Sequence, residues 1–123
     1  MAITRKKPIY LKLVDRIKNE VANDILSAHD QLPSVREMAL EEKINPNTVA
    51  KAYKELEKQN VIETIPGKGT FVTRNTQNIK ILNRKQLIDN LAEAIDKLQK
   101  NGIETDKIKK IIAGILGGKD AKN

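Results

Sequence analysis

The chain has no cysteine, no tryptophan and a single histidine, His29, and these scarcities narrow what the protein can do. Without cysteine there is neither a disulfide framework nor a thiolate metal site. His29 has no second histidine at ligand spacing, so we expect a solvated loop residue rather than a metal ligand or a catalytic base. No nucleophile elbow or acidic pair is recognisable either. We therefore predict no metal, no cofactor and no enzyme activity.

Aromatic residues make up only 2% of the 123 residues, so the core has to be built from Ile, Leu, Val and Ala. No run of about 18 apolar residues is present to cross a membrane. Residues 1–7 are basic and lead into no apolar signal-peptide core. A content of 39% hydrophobic and 32% charged residues is typical of a globular protein. We expect a cytoplasmic protein with no membrane partner, whose basic N-terminal arm is either disordered or in contact with DNA phosphates.

The net charge of +7 favours a polyanionic partner. The basic excess is spread along the chain, however, with three charges in residues 1–74 and four in residues 75–123. Overall charge is therefore weak evidence for nucleic acid. The argument has to rest on the placement of individual residues.

The first helix is predicted from Pro8, because apolar residues recur at steps of three and four. These residues are Tyr10, Leu13, Val14, Ile17, Val21 and Ile25. Residues 27–31 break the pattern. A second helix is then predicted after Leu32 and Pro33, because Ser34 and Glu37 have the spacing of a capping box.

The stretch from Ile44 to Leu56 begins with strong helix-start signals. Asn45 is a good N-cap, and Pro46 falls at the first helical position. One face of this helix is predicted to be apolar, since apolar residues recur at helical spacing: Val49, Ala52, Tyr53 and Leu56. Taken alone, this helix either enters a DNA groove or is a surface helix with a solvated face.

The position of this helix in the chain favours the first alternative, a helix that enters a DNA groove. Two short helices separated by residues 43–45, the second with a polar N-terminal face, form the helix-turn-helix arrangement. Arg36, near the start of the first of these two helices, is not needed for packing. Its guanidinium is placed to reach a phosphate or a base edge.

A β-hairpin is predicted after the two helices, because β-branched runs at 61–65 and 70–73 flank the turn Pro66-Gly67-Lys68-Gly69. Gly-Lys-Gly is too short to be a phosphate-binding P-loop and no helix follows it, so we reject nucleotide binding. Helix, helix-turn-helix and hairpin in this order make a winged helix-turn-helix.

Four motifs in this region also match a known family. They are Pro8-Ile9-Tyr10, the run from Leu32 to Ala39, the run from Asn45 to Glu57, and Gly67-Lys68-Gly69-Thr70-Phe71-Val72. Over residues 8–73 the chain closely resembles the N-terminal domain of GntR-family bacterial transcription regulators. It resembles the small YtrA-like branch most, because the remaining chain is too short for the large effector-binding domains of other branches.

The resemblance implies roles for individual residues. Arg36 would contact DNA, and the major groove would be read by Asn45, Asn47, Thr48 and Lys51. The wing tip, made of Gly67, Lys68 and Gly69, would approach the minor groove. Lys43 and Asn60 stand where family members commonly have glycine, and asparagine tolerates the left-handed backbone nearly as well. The implied partner is double-stranded operator DNA.

We predict that residues 74–78 are a polar connector and that the chain beyond them forms a helical hairpin. One helix of about four turns ends at Asn101-Gly102, and a last helix starts at Thr105 and ends at Gly117-Gly118. Such a short last helix is marginal alone and needs packing. We predict that the hairpin packs against a second subunit; the alternative is that it folds back on its own DNA-binding domain. The predicted dimerisation residues are Leu87, Leu91, Ile95, Leu98, Ile108, Ile111, Ile112, Ile115 and Leu116.

The predicted fold class is mainly α with a small β-hairpin. It comprises a winged helix-turn-helix DNA-binding domain in residues 1–75 and a two-helix dimerisation tail in residues 76–123. The predicted function is a homodimeric, sequence-specific transcription regulator, a repressor that reads an inverted repeat. The alternative is a winged-helix module that binds other proteins without specific DNA binding. Against it, the open face of Asn47, Thr48 and Lys51 is polar and lacks apolar anchors.

Overall fold

The computed structural model describes residues 7–120, and the side chains of residues 7–118. The predicted N-terminal arm therefore lies almost wholly outside the described residues. The first elements are α1 (Ile9–Ala22), β1 (Gln31–Leu32), α2 (Val35–Glu42) and α3 (Pro46–Lys58). The remaining elements are β2 (Ile62–Ile65), β3 (Gly69–Val72), α4 (Thr76–Lys100) and α5 (Thr105–Asp120). Within this described part, no helix is long and apolar enough to cross a membrane.

Both helices of the helix-turn-helix begin where the sequence predicts. At α2 the Glu37 amide donates to Ser34 Oγ at 3.1 Å, and the Ser34 amide donates to Glu37 Oε1 at 3.0 Å, which completes a capping box. At α3 the Asn47 amide donates to Asn45 Oδ1 at 2.7 Å, with Pro46 at the first position. These contacts satisfy amides that have no partner within the helix.

Three helices of this region end on non-glycine residues with left-handed backbone. Asp24 follows α1 with φ 61°, Lys43 follows α2 with φ 56°, and Asn60 follows α3 with φ 60°. Helices commonly end on one left-handed residue, usually glycine. The turn between α2 and α3 therefore has the conformation that glycine would favour, although Lys43 occupies it. The expectation that Asn60 can replace a glycine is confirmed.

The three strands form an antiparallel sheet of order β1-β3-β2, in which β1 comes from the segment between α1 and α2. The hairpin of β2 and β3 is confirmed, with Ile62 opposite Val72 and Ile65 opposite Gly69. Strand β1 was not predicted, because two residues show no alternation of polar and apolar side chains. Its pairing, which sets Gln31 opposite Phe71, depends on chain segments far apart in sequence.

The first compact unit of the chain, described over residues 7–83, has its core between α1, α2, α3 and the sheet, and most core residues come from the predicted helical stripes and hairpin runs. Its fully enclosed side chains include Val14, Ile17, Val21, Val49, Leu56, Val61, Ile62 and Val72. The prediction that Ile25 belongs to the buried face of α1 is wrong, since Ile25 is 68% exposed. The helix stops at Ala22 and the left-handed Asp24 turns the chain away before Ile25 can join the stripe.

Helix α4 begins earlier than the sequence predicts. Residues 74–78 were expected to be a polar connector, but α4 already begins at Thr76. The reason is tertiary packing: Ile79 is buried in the core of the first unit at 5% exposure. Burial of an aliphatic side chain of this size stabilises by roughly 1.5–3 kcal/mol, which is enough to extend a helix through polar residues.

Two polar contacts support the same turns of α4. Lys80 Nζ lies 2.8 Å from an oxygen of Asp24, and Asn83 Nδ2 donates to Asn19 Oδ1 at 3.1 Å. The chain divides into two compact units between Asn83 and Arg84, inside α4. The functional boundary near residue 75 stays a prediction.

The second unit is a hairpin formed by the rest of α4 and by α5. The predicted stop at Gly102 is confirmed: its φ is 84°, its amide donates to the Gln99 carbonyl at 3.0 Å, and the Ile103 amide donates to the Leu98 carbonyl at 3.1 Å. This pattern is a Schellman motif. The predicted end of α5 at Gly117-Gly118 is wrong, since the helix continues to Asp120. Glycine only weakens a helix by about 1 kcal/mol and ends it where φ turns positive.

Candidate nucleic-acid interface

The N-terminal half of α3 separates a buried face from an exposed polar one. Val49, Ala52 and Tyr53 are buried against α1 and α2. Asn47 and Lys51, one helical turn apart, are exposed. The side chain of Thr48 is partly buried. The helix therefore presents amide, hydroxyl and ammonium groups outward while its apolar stripe holds it on the body of the unit.

Tyr53 fixes α3 to the segment that leads into α2. Its side chain is 4% exposed, and its hydroxyl donates to the Pro33 carbonyl oxygen at 2.7 Å. Burial raises the pKa of Tyr53 to about 12, and the nearby Glu41 carboxylate adds to the rise. The phenol is therefore neutral at ordinary pH and acts as a hydrogen-bond donor.

Arg36 is the second residue of α2 and its side chain is exposed. The ion pairs formed among residues 7–118 do not include it. Its neighbour Glu37 is engaged by Ser34, whose backbone amide and hydroxyl lower the pKa of the Glu37 carboxyl. The guanidinium thus keeps its donors for a ligand outside the chain.

The wing tip is a tight turn closed by a backbone hydrogen bond between its first and last residues. The Lys68 amide donates to the Ile65 carbonyl at 3.0 Å, and Gly67 has φ 77°. Proline followed by glycine at the two central positions is typical of a type II turn, in which the second central residue needs positive φ. The Lys68 side chain is exposed at the tip.

One further side chain supports the wing tip and was missed by the sequence reasoning. Gln31, on β1, donates through Nε2 to the Lys68 carbonyl oxygen at 3.2 Å. A Cβ on Gly69, whose φ is 126°, would lie 2.6 Å from the same Nε2. No sequence signal marks this contact, because it joins residues 37 positions apart.

The eight predicted DNA-contact residues all lie in the first unit and form three groups. Asn45, Asn47, Thr48 and Lys51 share the start of α3; Gly67, Lys68 and Gly69 share the wing tip; Arg36 lies on α2. Among residues 7–118 no hydrogen bond joins one group to another. Their contact with DNA stays a prediction.

A groove beside the exposed face of α3 contains a contact that the sequence reasoning also missed. The ammonium nitrogen of Lys51 lies 4.3 Å from the centre of the Tyr10 ring. Lys54, Glu55 and Lys58 line the same groove. Periodicity assigns Tyr10 to the α1 core stripe, and the ring is indeed partly buried against the core. Its second role as a cation contact becomes visible only in three dimensions.

The predicted dimerisation residues are divided between packing inside the hairpin and exposure. Ile108 is buried at 3% exposure, and Ile95, Leu98 and Ile112 are partly buried. The exposed members are Leu87, Leu91, Ile111, Ile115 and Leu116. The hairpin alone therefore leaves aliphatic side chains of both helices in contact with water.

Comparison with protein families gives one match that covers most of the first unit. The model described as bacterial regulatory proteins, gntR family, matches residues 9–72. The chain is also 38% identical over 117 residues to the HTH-type transcriptional repressor YtrA of Bacillus subtilis (strain 168). That alignment covers 91% of this chain and 90% of YtrA.

Solved structures show the same architecture. A transcriptional regulator from Oenococcus oeni has 66% sequence identity and a TM-score of 0.75, with 94% of this chain and 97% of that chain covered. The DNA-binding domain of AraR, solved in complex with operator ORR3, has a TM-score of 0.56 and covers 59% of this chain and 88% of that chain. At 20% identity the second likeness concerns the fold alone.

Proposed function

Because the chain belongs to the GntR family of bacterial transcription regulators, we propose that it is a homodimeric repressor that reads an inverted-repeat operator. The family assignment already makes it a regulator with a DNA-binding domain and not an enzyme. The proposal adds the state of assembly, the symmetry of the DNA site and the residues that read it. The relative YtrA is named a transcriptional repressor, which supports repression rather than activation as the proposed activity.

The observation that carries the proposal is the two-sided character of α3. Its buried side anchors the helix, and its exposed side offers Asn47 and Lys51, with no apolar side chain larger than that of Ala50 between them. A polar helix face of this kind fits the major groove, where amide and ammonium groups read base edges. We assign the base contacts to Asn47, Thr48 and Lys51, with Asn45 at the helix entrance.

The wing and Arg36 supply contacts on either side of this helix in the proposal. Lys68 at the exposed tip carries the only charge of its turn, and the adjacent Gly67, which has no atom within 4 Å of an added Cβ, lets the backbone approach DNA closely. Arg36 offers a planar fork of donors suited to a phosphate or a guanine. Phosphate contacts provide most of the affinity, and base contacts provide the sequence preference.

Dimerisation is supported by the exposed aliphatic face of the second unit. Leu91, Ile115 and Leu116 are each more than half exposed in the single chain. Exposed apolar patches on both helices of one hairpin are typical of a surface that another protein covers. A second copy of the same hairpin presents the same surface, so a two-fold interface covers both at once.

A two-fold dimer determines the form of the DNA site. Two copies of α3 would sit in successive major grooves about 34 Å apart, and their half-sites would form an inverted repeat. Binding at such a site near a promoter blocks transcription, and we place this activity in the bacterial cytoplasm, where the DNA lies.

The test is a selection of short duplexes from a random library by the wild-type protein. We expect enrichment of an inverted repeat, and a dissociation constant for the enriched duplex that rises steeply with salt concentration. A scrambled duplex of the same composition serves as the control. Equal affinity for enriched and scrambled duplexes at every salt concentration would exclude a sequence-specific regulator and favour the protein-binding module instead.

A further inference from the structure

The contact between Lys51 and Tyr10 joins a residue of the proposed DNA-reading face to a residue of α1. The ammonium lies over the ring face at 4.3 Å from its centre, within the range of a cation–π interaction. Tyr10 is partly buried and packs against the core, so its ring is held in place by the body of the unit. The exposed Lys51 side chain therefore rests on a fixed support.

The charges around Lys51 explain why the ring is its partner. Glu55 lies one helical turn further along α3 and is the obvious carboxylate to attract it, but its Oε2 accepts from Gln59 Nε2 at 2.7 Å. Among residues 7–118 no carboxylate is within ion-pair distance of Lys51. Lys54 and Lys58 line the same groove and repel it. The ring face attracts the ammonium without neutralising its charge.

We propose that Tyr10 is a positioning residue for DNA recognition, whose ring holds the Lys51 ammonium in the orientation that reads DNA. The inference rests on the proposed function, because it requires α3 to enter the major groove. Tyr10 itself need not touch DNA. It limits the many rotamers of a lysine side chain to a small set before DNA arrives.

A carboxylate in place of the ring would pair with Lys51 and compete with DNA for it, whereas the ring leaves the full charge for the nucleic acid. The expected gain is modest, because an exposed cation–π contact is weak. Loss of the ring should weaken binding by about two- to fivefold. The loss should be larger for the enriched duplex than for the scrambled one, since orientation matters for base edges more than for phosphates.

The test is a double-mutant cycle on the full chain with the enriched and the scrambled duplex as probes. Tyr10→Leu removes the ring, Lys51→Met removes the charge at similar length, and a third variant carries both changes. Tyr10→Phe is the matched control, because it keeps the ring and removes only the hydroxyl. Circular dichroism melting of each variant measures the fold independently of DNA.

We expect Tyr10→Phe to bind like the wild type and Tyr10→Leu to lose affinity and discrimination. In the Lys51→Met background Tyr10→Leu should have no further effect on DNA affinity.

Three results would overturn the proposal. One is unchanged or tighter binding by Tyr10→Leu; another is a loss in Tyr10→Phe equal to that in Tyr10→Leu, which would mean a hydroxyl contact with DNA. The third is an effect of Tyr10→Leu that persists without the lysine, as a purely structural role would give.

A measurement on the free wild-type protein tests the contact without any variant or DNA. The ring current of Tyr10 should move the NMR signals of the Lys51 Hε protons upfield from those of the other lysines, and a normal shift would overturn the proposal. Failure of the proposed function looks different: the wild type would then bind enriched and scrambled duplexes equally while the upfield shift remained.

Discussion

The side-chain amide of Gln31 donates a hydrogen bond to the carbonyl oxygen of Lys68 at 3.2 Å. This contact ties the strand that precedes the helix-turn-helix to the tip of the wing. Strand β1 pairs with β3 in the same place, with Gln31 opposite Phe71. The orientation of the wing tip relative to the rest of the first unit therefore depends on a residue outside the hairpin.

Replacement of Gln31 by alanine should loosen the wing tip and weaken DNA binding. A single hydrogen bond contributes about 0.5–1.5 kcal/mol, so we expect an affinity loss of at most about tenfold. Fluorescence anisotropy with the enriched duplex measures the loss, and hydrogen exchange measures the mobility of the tip. Gln99→Ala, an exposed glutamine of the second unit, is the control. Equal affinities of the two variants would show that the contact does not matter for binding.

Gly69→Ala should destabilise the fold more than Gly67→Asn does. The φ of Gly69 is 126°, which side chains rarely adopt, and the new methyl would displace Gln31 Nε2. We expect a decrease of about 1–3 kcal/mol in the free energy of unfolding. Gly67, with φ 77°, has no atom within 4 Å of an added Cβ, and asparagine tolerates left-handed backbone. Urea unfolding compares the two, and equal losses would contradict the strain at Gly69.

The features that the sequence predicted well are local ones. The start of α2 depends on Ser34 and Glu37, three residues apart, and the start of α3 on Asn45 and Pro46. Each capping side chain meets a backbone amide two or three residues away, because the first turn of the helix brings them together. The exposed face of α3 was predictable for the same reason, since its residues follow from the period of the buried stripe.

The features that the sequence missed depend on segments far apart in the chain. Gln31 meets the wing, and Tyr10 meets Lys51, only after α1, α3 and the sheet have packed. The predicted start of α4 is too late in the chain, because residues 74–78 are polar. The observed start depends on Ile79, which is buried against core residues from earlier in the chain. Local propensity is weaker than such burial and is overridden by it.

Tyr53→Phe should lower the free energy of unfolding by about 1–2 kcal/mol, because the partly buried Pro33 carbonyl oxygen loses its donor. The wild type should also lose stability in base. The folded-state pKa of Tyr53 is raised to about 12 from an ordinary value of 10.0, so its contribution is complete below about pH 10 and is lost as the pH rises towards 12. Urea unfolding across this range should show the gap between wild type and Tyr53→Phe closing; a constant gap would contradict the buried phenol.

The capping box makes α2 sensitive to acid. Ser34→Ala should lower the free energy of unfolding by about 1 kcal/mol. The pKa of Glu37 is lowered from its ordinary value of 4.5, so its contribution is present above that value and is lost as the pH falls through the folded-state pKa. Stability relative to Glu37→Gln should accordingly decline in acid. Parallel pH profiles of the wild type and Glu37→Gln would show that the box does not form.

Leu91→Glu should dissociate the proposed dimer. Leu91 is 55% exposed in the single chain, and a two-fold interface would bury it twice. Loss of roughly 1.5–3 kcal/mol per leucine raises the dimer dissociation constant on the order of a hundredfold or more. Sedimentation equilibrium measures this constant, and Ala92→Glu is the matched control, because it adds the same charge to a different face of α4.

Comparison of Leu91→Glu with Ala92→Glu also distinguishes a hairpin that packs against a second subunit from one that folds back on its own DNA-binding domain. If the hairpin instead folds back on its own DNA-binding domain, the wild type sediments as a monomer and Leu91→Glu lowers its melting temperature without any change in mass. If the dimer forms through another surface, both glutamate variants remain dimeric. Only a wild-type dimer that Leu91→Glu dissociates and Ala92→Glu preserves agrees with pairing through the exposed face of the hairpin. The proposed function requires that pairing, because it would place two copies of α3 on one inverted repeat.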